Sequence, residues 1–244
     1  MPPHRVLVRS VFTIAVVCGA ARAAWAAGSI GGSVDVTSDY IFHGVSESYG
    51  DPALQGDIHY RRDAGAGAAE NFIGLWGSTI SRDATGGGFE LNAYLGRTFL
   101  ISSDSSATLT YVHYAYPDDR DRPHYDYDEL AAGWAYQDRL FATLAWTPDT
   151  AHYSERGLGR CCRKLSYDWG VHQTLGHAFT LTAALGYDVL NGASGYAYWN
   201  GGVAYAIGSW QFDLSYFAMQ PRAEARYGAV TAGDRLVGTI VWRF

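Results

Sequence analysis

The sequence predicts an all-β fold: a transmembrane, antiparallel, up-and-down β-barrel of twelve strands behind a cleaved signal peptide. Three observations carry that reading. Apolar and polar residues alternate with a period of two through nearly the whole chain beyond its first thirty residues, the connections between the alternating runs are short and long by turns, and the chain ends on an alternating strand closed by Phe244.

The N-terminus sets the compartment. A basic start (Arg5, Arg9), an apolar stretch from Val11 to about Ala21 and the small-x-small site Ala24-Trp25-Ala26 form the three-part layout of a secretory signal. The apolar part is shorter than the ~20 residues of a spanning helix. The expected division is therefore a signal peptide over 1–26 and an outer-membrane barrel over 27–244. Cys18 follows Val17, where a lipoprotein signal needs a small residue, so simple cleavage is expected in place of a lipid anchor. Loss of Arg5, Arg9 and Arg22 turns 18 Lys+Arg against 24 Asp+Glu into 15 against 24, a formal charge of −9. An acidic secreted chain is a poor partner for nucleic acid. The remaining cysteines, Cys161 and Cys162, are adjacent and lack the spacing of a structural zinc site, so no metal or other cofactor is implied.

The alternation defines the strands. From Ile30 to Phe42 the even positions are Ile30, Gly32, Val34, Val36, Ser38, Tyr40 and Phe42, while the odd ones include Ser33, Asp35, Thr37 and Asp39. The same rhythm predicts strands near 30–42, 53–62, 71–80, 89–100, 107–116, 127–136, 140–147, 166–175, 179–187, 197–206, 210–218 and 235–244. Every second connection is a short turn (DAGAGAA, SSDSS, QDR, GHA, IGS), whereas 117–125, 148–165 and 219–234 are longer. Periplasmic turns alternating with longer outer loops are the rhythm of an outer-membrane barrel, with both termini on the turn side. Aromatic residues near strand ends (Tyr40, Phe42, Tyr60, Phe89, Trp134, Trp146, Tyr187, Trp199, Trp210, Trp242, Phe244) are expected to face the two membrane–water interfaces.

Parity also assigns the inner face. Asp35, Asp39, Asp57, His59, Glu90, Glu129, Asp168, His172 and Asp213 are expected to line the lumen, against Arg61 and Arg243 at the turn-side rim. An acidic lumen favours cations. Arg156, Arg160, Arg163 and Lys164 concentrate positive charge in the loop 148–165, which could fold inward and reverse that preference, meet lipopolysaccharide phosphates, or equally be a solvated loop. Ile240, Trp242 and Phe244 share one face of the last strand and resemble the closing signal read by the barrel-assembly machinery. Gly86-Gly87-Gly88 has no following helix and reads as a loop, not a phosphate cradle. Asp118, Asp119, Asp121, Asp126 and Asp128 are interrupted by Arg120 and Arg122 and read as a solvated loop, not a calcium site.

The segment Ser38-Asp39-Tyr40-Ile41-Phe42-His43-Gly44-Val45-Ser46-Glu47-Ser48, followed by Pro52 to Tyr60, resembles the opening of the Gcw_chp family, also called TorF-type porins. Gly74-Leu75-Trp76-Gly77-Ser78, Glu90-Leu91 with Gly96, Gly186-Tyr187 and Tyr198-Trp199-Asn200 extend the resemblance over essentially the whole mature chain, with His43 and Glu47 standing where the family pattern leads one to expect Arg and Gln. The resemblance implies an outer-membrane barrel, a pore, and no catalytic residues. The predicted function is a narrow channel for small solutes or ions, surrounded by outer-membrane lipid and lipopolysaccharide. Twelve strands fall between the side-chain-filled barrels of eight and the open channels of sixteen to eighteen. The alternatives are a non-conducting structural or adhesive barrel, and an outer-membrane lipid-modifying enzyme. His113, on the outward parity of its strand, is the residue such an enzyme would use, and a Ser and an orienting acid would have to stand beside it.

Overall fold

A computed structural model describes residues 28–64, 69–82, 88–117, 125–154, 157–176, 178–190 and 195–244, with side chains from 150 to 162 also outside the description. The signal peptide (1–26), Arg156, Asp118, Asp119, Asp121, Gly86 and Gly87 lie outside the described residues.

Among the described residues twelve strands close into one antiparallel barrel, each next to its neighbour in sequence. They are β1 (Ser29–Thr37), β4 (Ala53–Asp63), β5 (Ala69–Thr79), β6 (Phe89–Leu100), β7 (Ser105–Ala115), β8 (Tyr127–Tyr136), β9 (Leu140–Ser154), β10 (Gly157–Leu175), β11 (Phe179–Leu190), β12 (Tyr196–Ile207), β13 (Trp210–Met219) and β14 (Arg235–Arg243). Two further strands, β2 (Ile41–Phe42) and β3 (Val45–Ser46), pair only with each other. Closure is made by β1 and β14 in register from Ser33 opposite Arg243 to Thr37 opposite Thr239. Reciprocal backbone bonds between Gly32 and Phe244, both 3.1 Å, extend the seam to the last residue. Closure leaves no edge strand, so no row of backbone donors meets lipid unpaired.

Side chains alternate across the wall as a period of two requires. Every barrel strand exposes large apolar residues on its outer face, among them Val34, Ile58, Ile73, Leu95, Leu109, Leu130, Leu144, Val171, Leu181, Val203, Leu214 and Ile240. A continuous apolar belt of this extent is stable against lipid and costly in water. Ring pairs sit at the turn end of the belt: Trp134 on Tyr136 at 6.2 Å, Trp210 by Trp242 at 6.5 Å, and Trp242 by Phe244 at 5.3 Å.

Three expectations from the alternation are corrected. β1 stops at Thr37 and does not run to Phe42, because Ser38 turns away from the ladder, its Oγ taking the Gly238 amide at 3.0 Å. Asp39 is therefore a loop residue, and Tyr40 and Phe42 lie inside the barrel instead of at the lipid interface. The region 148–165 is not a loop: β9 and β10 continue pairing to Ser154 and from Gly157, 15 and 19 residues long where the other barrel strands have 9 to 12. Arg160, Arg163 and Lys164 thus belong to β10, whose register shifts between Arg160 and Cys162 and again between Cys162 and Lys164. These shifts break the parity of two. The outer part of the hairpin also runs beyond the length of the neighbouring strands. Finally, the connection 220–234 carries two short helices, α1 (Pro221–Tyr227) and α2 (Ala229–Ala232).

Candidate functional site

The barrel interior differs between its two ends, and the cause is the connection from β1 to β4. Residues 38–52 fold down into the mouth at the loop end. The β2–β3 hairpin turns through His43 and Gly44 with φ of 47° and 81°, the two left-handed positions of a tight hairpin turn. Gly44 is required here: a Cβ would lie 2.6 Å from the Tyr198 Cβ and 2.8 Å from the Met219 Cε.

Side chains of this segment reach walls on opposite sides. Tyr40 meets Trp76 at 5.4 Å and Phe42 meets Tyr114 at 5.9 Å, on β5 and β7. Ile41 packs with Phe217 and Val237, and Val45 with Tyr196, Tyr198, Met219, Ala223 and Ala232, on β12 to β14 and the two helices. The hairpin tip reaches across to β10 and β11, far from its own root between β1 and β4. The Lys164 Nζ lies 4.9 Å from the Phe42 ring centre and 5.9 Å from that of Tyr127. The His43 Nδ1 is 2.6 Å from the Tyr198 hydroxyl and 3.4 Å from an Asp188 oxygen. Tyr198 gives its hydroxyl proton to Asp168 at 2.7 Å, so the His43 N–H donates to the Tyr198 oxygen. Tyr196 donates to the His43 carbonyl and toward Asp188, both at 3.3 Å.

Burial decides the protonation of the segment. Burial pushes His43 down from 6.5 to about 4, opposed by the Asp188 carboxylate and aided by the Lys164 ammonium, so the ring is neutral at pH 7. Burial pushes Glu47 up from 4.5 to about 7, with Lys164 resisting the rise and Asp39 adding to it. Asp39 accepts from Ser46, Ser48 and the Arg235 guanidinium, a buried charge compensated on three sides.

The acidic and histidine residues singled out by parity divide between the two ends. Towards the loop end, Glu90 is held by Asn92 at 2.7 Å, Glu129 accepts from Thr147 at 3.2 Å and Tyr114 at 3.3 Å, and Asp168 belongs to the Tyr198 chain. Glu90 and Glu129 retain only 2% and 5% of their surface beneath the hairpin. Nearer the turn end, Asp35, His59, His172 and Asp213 are only partly buried. Asp57 binds the His59 ring at 2.6 Å and accepts from the Tyr94 hydroxyl, His172 lies against Phe141 at 4.9 Å, and Asp213 takes both bonds from Gln211 at 2.8 Å. Arg61 pairs with Glu70 at 3.3 Å. Of the basic group, Lys164 points into the mouth and Arg163 is exposed, whereas Arg156 and the Arg160 side chain are outside the described residues. Ile240, Trp242 and Phe244 share the outer face, each 40–54% exposed.

The residues that sequence reasoning missed are His43, Glu47, Asp188, Tyr196, Tyr198 and Arg235. The Arg235 parity matches that of Arg243 and was available; the inward turn of the hairpin carries no periodic signal. His113 lies on the outer face, its Nδ1 2.9 Å from Asp128, which also accepts from Tyr111 at 2.6 Å. Its ladder partners are Ala93 and Asp128, and neither is the Ser that a lipid-modifying enzyme of this kind would use. Among the described residues no three His, Cys, Asp or Glu side chains gather as metal ligands.

Comparison with known proteins adds the fold family. Residues 21–242 match the family described as "Bacterial protein of unknown function (Gcw_chp)". No curated protein matches the chain. A solved structure from work on the mechanism of in-meso crystallization of membrane proteins superposes with a TM-score of 0.58 at 11% identity, over 88% of this chain and 83% of its own. The NanC porin superposes with a TM-score of 0.51 at 7% identity, over 87% and 98%. The likeness is one of fold, a porin-like barrel.

Proposed function

We propose that this chain, which belongs to the Gcw_chp family of bacterial proteins, is an outer-membrane channel for small solutes, narrow at its outer mouth and selective for cations. The observation that carries the reading is the contrast between the two faces of the wall. The outer face is apolar around the whole circumference, while the inner face carries the polar and charged side chains of the wall beside apolar clusters around the hairpin. A barrel that only had to be filled would be stabilised by apolar packing, since buried polar groups cost free energy unless each is paired. On the inner parity Asp35, Asp57, Glu70, Glu90, Glu129, Asp168, Asp188 and Asp213 outnumber Arg61, Lys164, Arg235 and Arg243. A low-dielectric wall with a surplus of carboxylates attracts cations.

In this reading residues 1–26 export the chain, Ile240, Trp242 and Phe244 are read by the assembly machinery, and the loop end faces outward among lipopolysaccharide. The test is the reversal potential of refolded protein in a planar bilayer under a potassium chloride gradient. A potential favouring potassium, weakened in Asp57→Asn and Asp213→Asn, supports the assignment. A potential favouring chloride refutes the acidic lumen. Absence of conductance assigns the barrel to a structural or adhesive role, and hydrolysis of added lipid would redirect attention to the outer face around His113.

A further inference from the structure

We propose that residues 38–52 form a hinged plug, latched to the wall by Arg235, that swings out of the mouth as one piece. The inference rests on the channel reading and adds a moving part to it.

Four observations carry the proposal. The segment is bonded to itself: Asp39 accepts from Ser46 and Ser48, the Tyr40 amide donates to the Ser48 Oγ at 2.9 Å, and the Glu47 amide donates to the Tyr40 carbonyl at 2.8 Å. Such a unit can move without unfolding. Second, β2 and β3 form their own two-stranded sheet and make no ladder with the barrel. The segment is attached to the wall instead by side-chain packing of Tyr40, Ile41, Phe42 and Val45 and by polar contacts that include Asp39 to Arg235, His43 to Tyr198 and Asp188, Tyr196 to the His43 carbonyl, Phe42 beneath Lys164, and a backbone bond from Ser81 to Glu47 at 2.9 Å.

Third, the two roots of the segment differ. On the β1 side Ser38 is stitched to Gly238 in both directions, amide to carbonyl at 2.8 Å and hydroxyl to amide at 3.0 Å. On the β4 side Tyr49 and Gly50 are left-handed, with φ of 59° and 86°, and Gly50, Asp51 and Pro52 are exposed. A Cβ on Gly50 would meet nothing within 4 Å. One root is therefore stitched to the wall while the other is bonded within the segment, the Gly50 amide to the Ser46 Oγ and the Asp51 amide to the Ser48 carbonyl, both at 3.1 Å, which is the layout of a hinge. Fourth, ionisable groups stand behind the seated tip beside the apolar clusters: Lys164, Asp188, Glu129 and Asp168. These groups can be rehydrated when the plug leaves. Arg235 is the latch because it joins β14 to Asp39, the carboxylate around which the hairpin is organised.

The test locks the plug to the helix it touches. Val45 packs in the cluster that contains Ala232 of α2, so Val45→Cys with Ala232→Cys, in a chain carrying Cys161→Ser and Cys162→Ser, should form a disulfide that holds the plug seated. Planar-bilayer conductance is recorded with the bridge oxidised and then reduced. The expected result is a small, quiet current when oxidised and steps several-fold larger when reduced. Arg235→Gln should raise the open fraction further, an increase that the bridge abolishes. A variant with 41–48 replaced by a short glycine linker serves as reference. If that variant conducts but oxidised and reduced proteins conduct alike, the segment is a fixed constriction: the hinge is overturned and the channel stands. If the linker variant does not conduct either, the channel reading itself fails. If the bridge does not form, Val45 is not seated against α2 and the plug is wrong.

Discussion

Gly44→Ala offers the sharpest test of the seated hairpin. The substitution acts twice at one position. The backbone φ of +81° is left-handed, which costs an alanine about 1 kcal/mol. The new methyl would also stand 2.6 Å from the Tyr198 Cβ and 2.8 Å from the Met219 Cε. The Met219 terminus can swing aside, but the Tyr198 Cβ is fixed to β12, so the overlap there adds roughly 1–3 kcal/mol of overpacking. The sum is about 2–4 kcal/mol against the seated state. It falls chiefly on the hairpin, because Gly44 is itself a member of no ladder of the barrel. Opening of the segment should then become ~30-fold to ~1000-fold more frequent, at 1.4 kcal/mol per decade. Amide hydrogen exchange reads this directly at the Glu47 N–H, which donates to Tyr40 at 2.8 Å inside the plug. Exchange at Glu47 should accelerate by that factor while amides in mid-strand, such as Leu181, keep their rates. Unchanged exchange at Glu47 would refute the close approach to Tyr198. Acceleration throughout the barrel would show that the hairpin and the wall open together, contrary to the independence argued from the separate two-stranded sheet.

Two further predictions follow from the faces and the charges. Leu181 is 44% exposed on the outer wall, whereas Thr182 on the same strand faces inward; Leu181→Arg should cost roughly 2–4 kcal/mol in lipid bilayers and Thr182→Arg much less, measured by denaturant titration of refolded protein, and equal costs would break the assigned parity. The pH response of the plug should be small in the wild type because two groups oppose each other. His43 falls from 6.5 to about 4 when seated, so the released hairpin binds the extra proton and seating weakens as pH drops from 6.5 to 4, by at most ~3 kcal/mol. Glu47 rises from 4.5 to about 7, so the seated hairpin binds the extra proton and seating is lost as pH rises through 7, by somewhat less than ~3 kcal/mol because Glu47 is only partly buried. Glu47→Gln should therefore leave a plug whose exchange protection drops in acid, and His43→Asn one whose protection grows in acid. The same pH slope in both variants would show that neither group governs seating.

How much of this was legible in the sequence depends on whether a solvent boundary ran alongside the residues. In Phe179–Tyr187 or Trp210–Tyr216 one side of the wall meets lipid and the other does not, so each residue carries the polarity of its face, and strand, parity and barrel could be read directly. The wall continues to alternate from Ser33 to Thr37 and again in β14, which is why the closing strand was recognisable before its partner was known. The signal failed where that boundary ended. In the outer part of the β9–β10 hairpin two register shifts near Cys162 remove the period of two, so a paired extension looked like a loop. The segment 38–52 failed for the opposite reason. Tyr40 and Phe42 continue the parity of β1, yet the chain leaves the ladder at Ser38 and buries them against Trp76 and Tyr114, residues that are close only after the barrel has closed. Asp39 with Arg235 and His43 with Tyr198 are separated by 196 and 155 positions. Local alternation determined the wall; which segment turned inward to fill its mouth was decided by long-range contacts that exist only in the closed cylinder.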